Sequence, residues 1–99
     1  MVKYLLTKKA VEDLTKIWNY TFDQWSEQQA DNYYEMLISN FKEISHNPRI
    51  GKKYDGIKSD LLGLRSNKHI IFYKKIDEDT VEIIRILHGN MDLKNRVSE

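Results

Sequence analysis

Apolar and polar positions change their spacing several times along this chain, and each change predicts an element boundary. Val2 to Leu6 is a short apolar run of strand type. Thr7 then stands where a helix N-cap belongs, its hydroxyl placed to accept from a free first-turn amide. Ala10, Leu14, Ile17, Trp18, Thr21 and Trp25 follow at steps of three and four, which predicts a helix with these residues on one core-facing stripe. Ser26, with Gln29 three residues on, reads as a capping box that opens a second helix. Its stripe is Ala30, Tyr33, Tyr34, Leu37, Phe41 and Ile44. It runs to Asn47-Pro48, where the proline ring disfavours helical geometry in the residue before it. Two helices joined so directly predict a hairpin.

Residues 48 to 60 hold two glycines and the single proline with no clean period, and read as a loop. Three strand-like runs follow: Leu61 to Ser66, His69 to Ile76, and Thr80 to His88, the last two separated by the turn-like Asp77-Glu78-Asp79. An antiparallel meander is expected. A helix of ~18 residues and a strand of ~8 both span about 26 Å, so the hairpin can cover one sheet face. The last run does not alternate apolar with polar. Strict alternation puts Val81, Ile83 and Leu87 on one side and Ile84 and Ile86 on the other, so both sides are apolar. With one helical layer available, the second side needs cover from the C-terminal tail or from another chain, and another chain is the favoured source.

Composition agrees with this small α+β design. The 99 residues suffice for one domain, taken as 1–99, and the hydrophobic fraction of 40% with 31% charged residues is in the globular range. No cysteine is present, which excludes disulfides, thiolate nucleophiles and cysteine-based zinc sites. No apolar stretch reaches the length of a signal or membrane span, and the expectation is a cytoplasmic protein with no membrane contact. The net charge of +1 hides an asymmetry: residues 12–43 carry seven acids and two bases, a net −5, while residues 49–75 carry eight bases and two acids, a net +6. The two regions either neutralise each other in the fold or leave a basic surface open to an acidic partner or nucleic acid.

The residues also resemble a known family. Leu6-Thr7, Ala10, Asp13-Leu14, Ile17-Trp18, then Trp25, Gln29-Ala30 and Tyr33, then Asn47-Pro48-Arg49-Ile50-Gly51-Lys52, then Arg65-Ser66 with His69-Ile70-Ile71-Phe72-Tyr73, and finally Ile84-Arg85-Ile86-Leu87-His88 with Met91-Asp92, resemble the ParE branch of the RelE/ParE toxin superfamily over nearly the whole chain. The last two segments are the most specific. The resemblance implies a RelE/ParE-like fold with a short first strand, a helical hairpin on a small antiparallel sheet and a short C-terminal tail. It further implies the toxin of a type II toxin–antitoxin pair, neutralised by a ParD-like antitoxin with which a hetero-oligomer is expected, and acting by binding DNA gyrase. Arg49, Lys52, Lys53, Arg65, His69, Ile84, Ile86, His88, Met91 and Asp92 are the candidate residues for contact with target or antitoxin.

The alternative is the RelE-like branch, whose members cut messenger RNA on the ribosome. That chemistry needs a group to activate the 2′-hydroxyl, a group to hold the phosphate's growing charge and a group to protonate the leaving oxygen. Arg65, Arg85 and His88 are the residues available for it, and Gly89 and Asn90 follow His88 where many nucleases carry a tyrosine. Arg85, flanked by Ile84 and Ile86, is expected to pair with Asp92 as a tail-fixing salt bridge. His88 is expected to bond the tail or to end the sheet, and His69 to bond backbone or Ser66 across the Asn67 turn. His46, His69 and His88 have no ligand-like spacing, so neither a metal nor another cofactor is expected. Trp18, Trp25, Tyr33, Tyr34 and Phe41 are assigned to the core.

Overall fold

The computed structural model describes residues 2–98; the predicted domain 1–99 therefore extends at each end by one residue, Met1 and Glu99, outside the described set. Strand β1 (Lys3–Leu6) leads into α1 (Lys8–Gln24) and α2 (Glu27–His46), a 3₁₀ turn spans Pro48–Ile50, and strands β2 (Lys52–Lys53), β3 (Leu62–Ser66), β4 (His69–Asp77) and β5 (Thr80–His88) precede a last helix, α3 (Leu93–Ser98). Both predicted caps form. The Thr7 hydroxyl accepts from the Ala10 amide at 3.0 Å, and Ser26 Oγ accepts from the Gln29 amide at 3.1 Å.

The five strands make one sheet in the order β1-β5-β4-β3-β2. The meander β3-β4-β5 is antiparallel as the spacing implies, whereas β1 lies parallel to β5 at one edge. The loop 48–60 contributes β2, a two-residue strand that closes the other edge against Leu62 and Gly63. Helices α1 and α2 cover one sheet face, where Leu14, Leu37, Phe41, Ile44, Ile71, Tyr73, Val81 and Ile83 form the main core. The Tyr73 hydroxyl donates to the Pro48 carbonyl and accepts from the Gly51 amide, each at 2.8 Å, which ties the end of α2 to the sheet.

The two faces of β5 differ from the alternating expectation. Phe72 pairs with Arg85 and Tyr73 with Ile83, so Ile84 is an extra residue, a β-bulge. A bulge inverts the facing of everything after it. Ile86 consequently joins Val81 and Ile83 beneath the helices, while Leu87 joins Ile84 on the opposite face. That face has its own cluster of Leu61, Ile70, Phe72, Leu87 and Val97, with Tyr54, Ile57, Ile84 and Leu93 around it. Leu93 and Val97 belong to α3. The cover that the sequence reading assigned first to another chain is thus supplied by the protein's own tail, because six residues of that tail coil into a helix with two apolar positions four apart.

Candidate functional site

Two structural residues set the frame. Asp13, on the first half of α1, is only 7% exposed and accepts from Arg85 through both carboxylate oxygens, at 2.7 Å from Nε and 2.9 Å from Nη2. It also accepts from the Ile86 amide at 3.0 Å. The reason lies at the sheet edge. β1 ends at Leu6, where Thr7 bonds the Ile83 and Ile84 carbonyls, and beyond this point the outer side of β5 has no neighbouring strand. Asp13 takes over that role. The expected Arg85–Asp92 bridge is therefore not formed: Arg85, itself 7% exposed, uses its remaining reach to donate to the Arg96 carbonyl of α3. Asp92 accepts instead from the Asn95 side chain at 2.7 Å, at the start of α3.

At one end of the sheet, the turn between β3 and β4 and the end of β5 meet α2. His69 and His88 are direct cross-strand partners, their rings edge to face at 5.4 Å. His69 Nδ1 lies 2.6 Å from the Tyr33 hydroxyl, and Ser66 Oγ donates to Asn40 Oδ1 at 2.6 Å. Burial, reinforced by the neighbouring His88, lowers the His69 pKa to about 4, so this imidazole is neutral at ordinary pH and shares a hydrogen bond with the Tyr33 hydroxyl. Burial in turn raises the Tyr33 pKa. His69 thus bonds α2, where bonding to Ser66 or backbone was expected. His88 Nδ1 accepts from the Asn90 amide at 3.1 Å, a link to the following turn. Asn67 turns the chain with a φ of 56°, in the left-handed region that Asn tolerates.

Strand alternation separates the three residues of the nuclease reading. Ser66, His69 and His88 face the helices, so Arg65, one step from Ser66, faces the α3 side. There its guanidinium lies beside Gly89, where an added Cβ would stand 3.2 Å from Arg65 Nη1. Arg85 is enclosed in its ion pair. Of the binding candidates, Arg49, Lys52, Lys53, Arg65, Met91 and Asp92 are exposed. Lys52 also sits over the Tyr54 ring at 5.6 Å, and that ring packs edge-on to Phe72. Ile84 and His88 are half-buried. Ile86 is 2% exposed within the helix-side core and offers nothing to a partner, a consequence of the bulge.

The opposite charges do not cancel by contact. Among the described residues the ion pairs are Asp13 with Arg85 and the local Lys75 with Glu78, so none joins an acid of 12–43 to a base of 49–75. The helical hairpin adds a surface that the sequence reading placed in the core. Trp25 is 74% exposed and Tyr34 is exposed as well, and Tyr20 and Phe22, which had no core assignment, stand out of the same hairpin. Trp18 stacks on Phe22 at 5.2 Å and donates its indole N–H to Asp31 at 3.0 Å, beside an open groove of about 330 Å³ lined by Leu14, Thr15, Trp18, Asp31 and Tyr34. The α1 pattern permits this, since Val11, Thr15, Trp18 and Phe22 form a second stripe beside the core stripe. Among the described residues, no three His, Cys, Asp or Glu side chains come together to hold a metal ion, and no helix is long and apolar enough to cross a membrane.

The sequence and fold both have relatives. The family model described as the ParE toxin of the type II toxin–antitoxin system parDE matches residues 4–93. Toxin ParE1 of Mycobacterium tuberculosis is 35% identical over 91 residues, covering 92% of this chain and 93% of that protein. In three dimensions the chain resembles the solved chromosomal ParDE toxin–antitoxin system from P. aeruginosa, with a TM-score of 0.75 at 16% identity, covering 89% of this chain and 96% of that one. It also resembles the toxin–antitoxin complex RelBE2 from Mycobacterium tuberculosis, with a TM-score of 0.68 at 21% identity and covering 88% and 96%. The fold is common to both branches, and it is the sequence match that separates them.

Proposed function

Because this chain belongs to the ParE toxin family of type II toxin–antitoxin systems, we propose that it acts in the cytoplasm by binding DNA gyrase and is held inactive by a ParD-like antitoxin. Both solved relatives are toxin–antitoxin assemblies, which supports an antitoxin as a partner of this chain too. The observation that carries binding over cleavage is the state of Arg85. A nuclease of the RelE type needs a cation at the scissile phosphate, and here that guanidinium is enclosed by Asp13 and the Arg96 carbonyl, with Arg65 and His88 on opposite faces of the sheet. The exposed surfaces instead suit contact with macromolecules: the aromatic hairpin around Trp25 and the rim bearing Arg49, Lys52, Lys53 and Arg65.

The test combines purified protein with gyrase and relaxed plasmid. Inhibition of supercoiling or accumulation of cleaved DNA, reversed by the antitoxin, is the expected result; normal supercoiling at every ratio would refute the gyrase reading. Primer extension on translating ribosomes is the companion measurement, and codon-linked cuts there would instead establish the nuclease activity.

A further inference from the structure

We propose that the basic rim of the sheet, made by β2 and the β3–β4 turn, binds the phosphodiester backbone of a nucleic acid directly. This contact belongs to the toxin itself and does not depend on gyrase being the target. Its residues are Lys52, Lys53, Arg65 and Lys68, all exposed, with Arg49 and Lys58 in the adjoining loop. Lys52 pairs with Gly63, and Arg65 lies two residues further along β3 on the same face, so the backbone positions that carry the two cations are offset by about 7 Å along the strand direction. Gly89 has no side chain to displace the Arg65 guanidinium from its place, and its amide donates to the Lys68 carbonyl at 2.9 Å, which fixes the β3–β4 turn against the end of β5.

Two observations favour phosphate over an acidic peptide. Protein partners are gripped through apolar and aromatic anchors ringed by polar groups. The large hydrophobic side chains that stand exposed here are Val2, Leu5, Val11, Tyr20, Phe22, Trp25, Tyr34, Ile76 and Met91, and none falls within the basic segment 49–75. Tyr54, the aromatic ring at the rim, is turned inward onto Phe72. In addition, β2 has only two residues and cannot template an extended peptide strand. What remains is a lysine-dominated surface whose charges form no ion pair with the acidic hairpin, which suits sequence-independent phosphate contacts. The near-neutral total charge conceals this, because the compensating acids sit on the helical layer.

The experiment measures binding of the purified protein to a short fluorescein-labelled DNA duplex and to an RNA duplex of the same sequence, by anisotropy across a salt series. Four phosphate contacts predict an affinity that falls about 100-fold between ~50 and ~200 mM salt, and a salt slope that shrinks by about one for each contact removed. The variant Lys52→Gln/Lys53→Gln/Arg65→Gln/Lys68→Gln is expected to lose this binding while keeping the wild-type circular dichroism. Lys8→Gln/Lys9→Gln/Lys16→Gln, which removes three cations from α1, is expected to retain it. The single variant Arg65→Gln gives the same answer at smaller amplitude should the fourfold variant fold poorly. Any difference between the two duplexes identifies which nucleic acid is the source of the phosphate. Absence of binding at low salt, equal loss in the rim and α1 variants, or tighter binding to a polyglutamate peptide of matched charge would overturn the proposal.

Discussion

Arg85 and Asp13 illustrate how one pair of residues can serve several elements. The carboxylate replaces a missing strand neighbour for Ile86, and the guanidinium joins α1, β5 and α3. Asp13→Ala strands a buried guanidinium and leaves the Ile86 amide without an acceptor, so a loss of about 3–5 kcal/mol is expected in urea unfolding. Adding Arg85→Met to that variant removes the cation that Asp13 had faced, and the double variant should cost less than the sum of the singles. Strict additivity would mean that the two side chains act independently. His69 gives a second residue-level prediction. Its pKa is lowered to about 4 in the folded protein, against about 6.5 in an unfolded chain. The unfolded chain therefore takes up the proton first as pH falls. The His69 contribution is complete above about pH 6.5, declines from there towards pH 4, and is fully lost below it. Comparing melting temperature against pH for the wild type and His69→Gln should show the wild type losing its advantage across that interval; parallel curves would disprove the assignment.

At the scale of elements, the entry to α1 and the docking of α3 are the sensitive points. Thr7 is at once the N-cap of α1 and a donor to the Ile84 carbonyl at 2.7 Å, so it ties the start of the helix to the bulge. Thr7→Ala is expected to cost about 1–2 kcal/mol by chemical denaturation, the upper part of the range for a lost cap. Helix α3, at six residues, is far too short to be stable alone and persists through Leu93, Val97 and the bond from Arg85. Val97→Asp places a carboxylate against Phe72 and Leu87, and is expected to undock the helix at a cost of about 2–3 kcal/mol. Amide exchange checks this: Leu87 and Ile70 should exchange faster while Leu37, beneath the helices on the other face, stays protected. The hairpin was legible in advance because its signals are local, namely apolar residues three and four apart and caps at Thr7 and Ser26. The position of Trp25 was not, because Trp25 is the C-cap residue, where the backbone has left helical geometry and the stripe's spacing no longer sets the direction of the side chain.

For the whole molecule, two apolar layers share a single sheet, so both should melt together. Leu37→Ala on the helix side, expected to cost about 2–5 kcal/mol, and Val97→Asp on the other should each lower one common transition seen alike by fluorescence and far-ultraviolet circular dichroism. Two separated transitions would show that the layers fold independently. Charge is segregated at this scale as well, with acids on the helical layer and bases on the sheet rim, which leaves two chemically different surfaces for partners. The order from β1 through the helical hairpin to the β3-β4-β5 meander, and the family, were determined by the sequence itself, because helical and strand periods, caps and turn residues act between positions close in the chain; β2 and α3 were not, since each holds its shape only against the sheet. Tertiary structure alone decided that Ile84 bulges, that Ile86 turns inward, that Asp13 rather than Asp92 meets Arg85, and that Tyr33 bonds His69. Each depends on where β1 stops along β5 and how α1 and α2 lie across the sheet, contacts between residues distant in sequence that no local period records.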